Sequence, residues 1–155
     1  MGLAKYINKA LRTEIALGTE SFSVRGISYA DLMILKDRYG EALSSVFSKI
    51  QEGQDEVEVI MLLLNDAPQV VNLLIALASL GPDEDLSEDD VIAASGLPMS
   101  VQTEALIEIC KLTFPGDDGL KKFIATAIQV IKALTRTVED LSGITTDLSK
   151  EPSST

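Results

Sequence analysis

The chain contains no histidine, no tryptophan and a single cysteine, and its aromatic residues are only three tyrosines and four phenylalanines. Each shortage excludes something. Without histidine there is no Ser-His-Asp or Cys-His nucleophile and no ordinary zinc site. One cysteine cannot build an internal disulfide framework. With so few aromatics, the core of a 155-residue chain has to be aliphatic, and Leu, Ile, Val and Ala at helical spacing favour an α-rich fold. There is no G-x-S-x-G, no P-loop and no G-x-G-x-x-G. Bases are missing from one stretch altogether: residues 51–90 hold eleven of the 24 acids and no Lys or Arg, while the other thirteen acids match the thirteen bases. The net charge of −11 therefore belongs to one quarter of the chain. Such a surface repels phosphate and anionic lipid, so direct binding to nucleic acid or a membrane is not expected. Long apolar runs are absent too. Val59 to Leu80 is interrupted by Asn65, Asp66, Pro68 and Asn72, and reads as buried helices rather than a span. The start, MGLAKYINKALRTE, has no apolar signal core, and the chain reads as cytosolic.

What is present predicts a mainly α protein: a compact multi-helix domain over residues 1–142 with a small N-terminal β-hairpin or pair of short strands, followed by a mobile polar tail at 143–155. Leu3, Tyr6, Ile7, Ala10 and Leu11 follow helical spacing. Ile15 and Leu17 alternate before Gly18-Thr19, and Phe22 and Val24 after it, which places short strands over about 13–25. Ser28 with Asp31 forms a capping-box pattern that opens a helix over about 29–52, weakened or broken at Gly40. Helical pattern resumes over about 55–80, with a break at Asp66 and Pro68 in the first turn of its second half. Ser87 with Asp90 opens a short helix over about 88–95 that Gly96 stops, and a further helix covers about 99–113. In the last, over about 118–142, Leu120, Ile124, Ala127, Ile131, Leu134, Val138 and Leu141 make a sustained heptad stripe.

The residues that could carry chemistry have simpler readings. Cys110 lies in line with Leu106, Ile109 and Thr113, near a helix C-terminus where the dipole disfavours a thiolate, so it reads as a buried structural thiol. Asp83, Asp85, Ser87 and Asp89 imitate the first ligands of an EF-hand, but Glu88 stands at the glycine position and Ala94 at the bidentate glutamate position, which leaves a solvated acidic loop. No catalytic, cofactor or metal residues are assigned, and the chain reads as non-enzymatic. The paired helices before residue 80 carry apolar residues on more than one face. Two readings of Leu62, Leu63, Val71, Ile75 and Ala78 stand side by side: a partner-binding or self-association surface, or core. Charged substitutions at Val71 and Ile75 separate them.

Two stretches in order, FSVRGISYADLMILKDRYG at 22–40 and LPMSVQTEALIEICKLTFPGDDGLKKF at 97–123, resemble the tail assembly chaperones, or pre-tape-measure chaperones, of long-tailed bacteriophages. The features that carry the likeness are Arg25-Gly26 leading into the Ser28 helix, Leu97-Pro98, Gln102, Leu112-Thr113-Phe114, the glycines at 116 and 119, and Lys121-Lys122; DAPQVVNLLIALA also fits. The resemblance implies a small, mostly helical, non-catalytic chaperone without cofactors. Its implied role is to bind the tape measure protein, keep it soluble and help recruit tail tube protein. Further implied partners are its own frameshifted longer form and, as a homo-oligomer, further copies of itself. It would work in the cytoplasm of the infected bacterial host and be absent from the mature virion. Two rivals follow from other features: an acidic nucleic-acid mimic, from the charge, and a structural head–tail or scaffold component, from the heptad helix.

Overall fold

The computed structural model describes residues 11–50, 53–81, 83–116, 118–130 and 132–133. Two strands, β1 (Arg12–Leu17) and β2 (Glu20–Arg25), pair antiparallel around Gly18-Thr19, with Ile15 opposite Phe22 and Thr13 opposite Val24. The predicted alternation is seen in their burial: Ile15 and Val24 are fully enclosed, while Glu14, Ala16 and Ser21 face out. This face of the hairpin lies on the helices that follow.

Helix α1 (Tyr29–Lys49) starts on the predicted capping box, with Ser28 accepting from the Asp31 N–H and Asp31 accepting from the Ser28 N–H. The expected weak point at Gly40 appears one residue earlier. Tyr39 has φ −134° and ψ 32°, so the helix is kinked there and then continues. The kink turns both halves of the stripe inward, Leu32 and Leu35 before it, Leu43 and Val46 after it. Helices α2 (Glu56–Asp66) and α3 (Pro68–Ser79) are joined at Ala67 and bend by 106°. Asp55 caps α2, accepting from the Glu58 N–H, and Pro68 opens α3 where no donor is needed. Among the described residues no single helix is long and apolar enough to cross a membrane.

Helix α3 is the centre of the fold. It contacts β2, α1, α2, α4 (Glu88–Ser95) and α5 (Met99–Thr113). Eight of its twelve residues are buried, which explains a helix apolar on every side. Helix α4 begins on the second predicted capping box, Ser87 with Asp90, and ends at Gly96. Helix α6 (residues 119–130 and 132–133 among those described) turns Leu120, Ile124 and Ala127 into the same core, so the first part of the heptad stripe packs within the chain. The remaining heptad positions, the N-terminal segment before Leu11 and the tail at 143–155 lie outside the described residues.

Candidate functional site

The stretch from Arg25 to Asp31 and the end of α5 meet in space. At the exit of β2 the Arg25 guanidinium forks onto Asp31, Nη1 to Oδ2 at 2.6 Å and Nη2 to Oδ1 at 3.3 Å. Arg25 Nη1 also donates to the Gly26 carbonyl. Asp31 Oδ2 accepts as well from the Ser28 N–H (2.9 Å) and the Ser28 hydroxyl (3.0 Å). One buried carboxylate thereby ends a strand and starts a helix. Burial works to raise its pKa, but the Arg25 and Ser28 hydrogen bonds and the guanidinium charge outweigh it and hold Asp31 below the usual carboxylate range.

Between these groups Gly26 lies flat against the last turn of α5. A Cβ at this position would sit 3.0 Å from the Leu112 carbonyl carbon and 3.1 Å from the Thr113 nitrogen. The Ile27 N–H donates to Thr113 Oγ1 at 2.9 Å, and that hydroxyl donates in turn to the Ile109 carbonyl at 2.7 Å. Gly119 makes the corresponding approach from the other side, where a Cβ would lie 2.9 Å from the carbonyl oxygens of Cys110 and Phe114. Neither neighbour is a flexible side chain, so the backbone itself would have to move. We expect Gly119→Ala to cost about 1–3 kcal/mol in thermal or urea unfolding. Gly40→Ala, whose Cβ would meet nothing nearer than Lys36 Cγ at 3.8 Å, should cost nothing or stabilise.

Gln102 belongs to a second joint. Its Nε2 donates to the Ala94 carbonyl at 3.0 Å and to Asn72 Oδ1 at 3.4 Å, tying the first turn of α5 to the end of α4 and the side of α3. Arg12 makes a third, which the sequence does not announce. Its Nη1 and Nη2 donate to the carbonyls of Leu80 (3.0 Å) and Ser79 (3.1 Å), closing the C-terminus of α3, while Nε holds Ser23 Oγ at 2.8 Å. Arg12 and Arg25 stand opposite each other in the sheet, and each has its own acceptors.

The five residues named for partner binding are not together on a surface. Val71 (1% exposed), Ile75 (2%), Ala78 (0%) and Leu63 (7%) are in the core, and Leu62 is half-buried against it. The physical reason is the position of α3, which neighbouring elements surround. A face that looks surplus on a helical wheel is occupied by another of them. In this fold those four side chains are packing, and only Leu62 reaches solvent.

Cys110 is buried, and burial, with the Glu56 carboxylate adding to it, pushes its thiol up to about 12. At neutral pH this disfavours the thiolate strongly. Alkylation of the folded protein should accordingly be much slower than in denaturant, and comparable rates would show the thiol to be open. The acidic stretch is used locally. Ser87 and Asp90 serve each other as a helix cap, and Glu84 accepts from the Gly81 N–H. Asp66 pairs with Lys49 and Glu88 with Arg38. Among the described residues no three His, Cys, Asp or Glu side chains are grouped to hold a metal ion.

Several of the residues that bear the family likeness (Arg25-Gly26, Ser28, Gln102, Thr113, Gly119) thus join elements of the fold. No curated protein and no solved structure matches the chain. The family described as "Pre-tape measure protein" matches residues 1–146, nearly the whole length, joints included. On that extent of agreement, the chain belongs to the pre-tape-measure protein family of phage tail assembly.

Proposed function

We propose that the protein is a non-catalytic tail assembly chaperone that binds the tape measure protein, keeps it soluble and helps bring tail tube protein to it. The observation that carries this reading is the family match over residues 1–146. Two physical features support it. The surface charge is strongly acidic, which keeps a chaperone soluble while it holds an apolar client. The domain also has a well-filled core independent of any partner, so a client need not supply its folding energy. The protein acts in the cytoplasm of the infected host cell and leaves before the virion is complete. A longer frameshifted form and further copies of the chain are additional partners on this reading.

Co-expression is the direct experiment. The tape measure protein made with this chain should be recovered in the soluble fraction and bound to it, and made alone should be insoluble. Equal solubility with and without the chain, and no complex, would overturn the proposal. Examination of purified virions separates the scaffold alternative, since a structural component stays in the particle. The nucleic-acid-mimic alternative gains nothing from the geometry. Several of the acids are already engaged, capping helices or pairing with Lys49 and Arg38, and strongly salt-dependent binding to a basic partner would be its mark.

A further inference from the structure

Helix α4 presents a face that the other described elements do not cover. Of its eight residues only Ala94 is buried, and Ile92 is 65% exposed. Glu88 and Asp89 precede Ile92 by four and three residues, which puts them on the same face. The connection from α3 adds Asp83, Glu84 and Asp85, all exposed. Glu88 pairs with Arg38, but no described Lys or Arg pairs with Asp83, Asp85 or Asp89. One segment of the chain has the complementary pattern and is attached at this corner. Residues 1–12 hold Lys5, Lys9 and Arg12 and no acid, and Leu3, Tyr6, Ile7 and Ala10 recur at helical spacing. At 100° per residue the two lysines flank one edge of that apolar stripe. Arg12 fixes the point of attachment. Its guanidinium holds the carbonyls of Ser79 and Leu80, just before the acidic connection, and lies within electrostatic reach of Glu84. Ten residues extend about 15 Å as a helix, enough to lie along the about 12 Å of α4. A segment tethered this closely is present at an effective concentration on the order of millimolar, so the chain's own copy outcompetes a neighbour's.

We propose that residues 1–10 dock on the outer face of α4 of the same chain, with their apolar side on Ile92 and the stems of Lys5 and Lys9 reaching round to the carboxylates at 83–89. The contact covers an exposed isoleucine and offsets part of the charge that residues 51–90 concentrate. Apolar burial supplies the affinity, and the lysines set the register. The inference goes beyond the chaperone reading and does not depend on it.

Hydrogen exchange of the full chain tests this, read by mass spectrometry on the segment before Leu11 and compared with the free peptide MGLAKYINKA. In the wild type the segment should exchange at least tenfold more slowly than the peptide. Ile92→Glu, at an exposed position, should return it to the peptide's rate. Lys5→Glu combined with Lys9→Glu should do the same, measured against the matching peptide. Exchange within α3 should be unchanged in both variants, which separates loss of docking from loss of the fold. A wild-type segment that exchanges at the peptide's rate overturns the docking. Slow exchange that survives Ile92→Glu puts the segment on another surface and overturns this one. Slow exchange that survives the lysine reversals alone overturns the ionic half of the contact. Protection that is lost on dilution, together with dissociation of an oligomer, assigns the segment to a neighbouring copy and overturns docking on its own chain.

Discussion

Val71→Asp and Ile75→Asp are each expected to unfold the protein rather than to spare the fold and weaken a partner. Both side chains are almost wholly enclosed, at 1% and 2% exposure, on the helix that contacts five other elements. No Lys or Arg occurs between residues 51 and 90 to compensate a new carboxylate from the same helix pair. An unpaired charge at such a position costs about 4 kcal/mol or more, even after local relaxation. Small domains hold only about 5–15 kcal/mol in total, so either variant consumes most of that margin. The expected result is loss of the cooperative melt and recovery in the insoluble fraction. Two comparisons make the outcome specific. Ile75→Val, which removes one methylene group without charge, should cost about 0.5–1.5 kcal/mol and stay folded. Leu62→Lys should also stay folded, since Leu62 is half-buried and a lysine stem can lie on the core with its ammonium in water. A folded, cooperatively melting Val71→Asp protein that had lost its client would restore the surface reading of that face.

That contrast also marks what the amino-acid sequence reveals and what it does not. Local signals held. The Ser28–Asp31 and Ser87–Asp90 boxes, Pro68 at the start of α3, Gly96 at the end of α4 and the alternation about Gly18-Thr19 all act within four residues of themselves, and each appears where it was expected. The kink is the exception that shows the limit. Gly40 is the weak helix former, but the distortion falls one residue before it, at Tyr39. Long-range joints were invisible. Arg12 reaches carbonyls 67 and 68 residues away, and Ile27 finds the Thr113 hydroxyl 86 residues away, with no spacing rule to announce either. Surface and core on α3 could not be told apart either, since periodicity counts apolar faces and not the elements available to cover them.

Removal of the carboxylate at the first joint should be nearly as damaging as charge in the core, with a distinct dependence on pH. Asp31→Ala deletes the fork from Arg25 and both contacts from Ser28, and it leaves the guanidinium, 23% exposed, without its partner. Breaking a buried pair by removing one member costs about 3–5 kcal/mol, and the partial exposure of Arg25 places this case near 3. For a chain of this length that is a fall of roughly 6–12 °C in melting temperature. Arg25→Lys should recover little of the stability, because an ammonium cannot reproduce the two-pronged contact. The pH sign follows from the depressed pKa of Asp31. A carboxyl whose pKa is lower folded than unfolded contributes stability that is fully present above its unfolded value, about 3.9, and is lost as pH falls through the folded value. The difference in stability between wild type and Asp31→Ala should hence be constant from neutral pH to about 5 and narrow steadily below about 4. Paired urea titrations across that range measure it. A gap that stays constant to pH 2 would mean that the contribution of Asp31 does not depend on its charge, and would overturn this account of the joint.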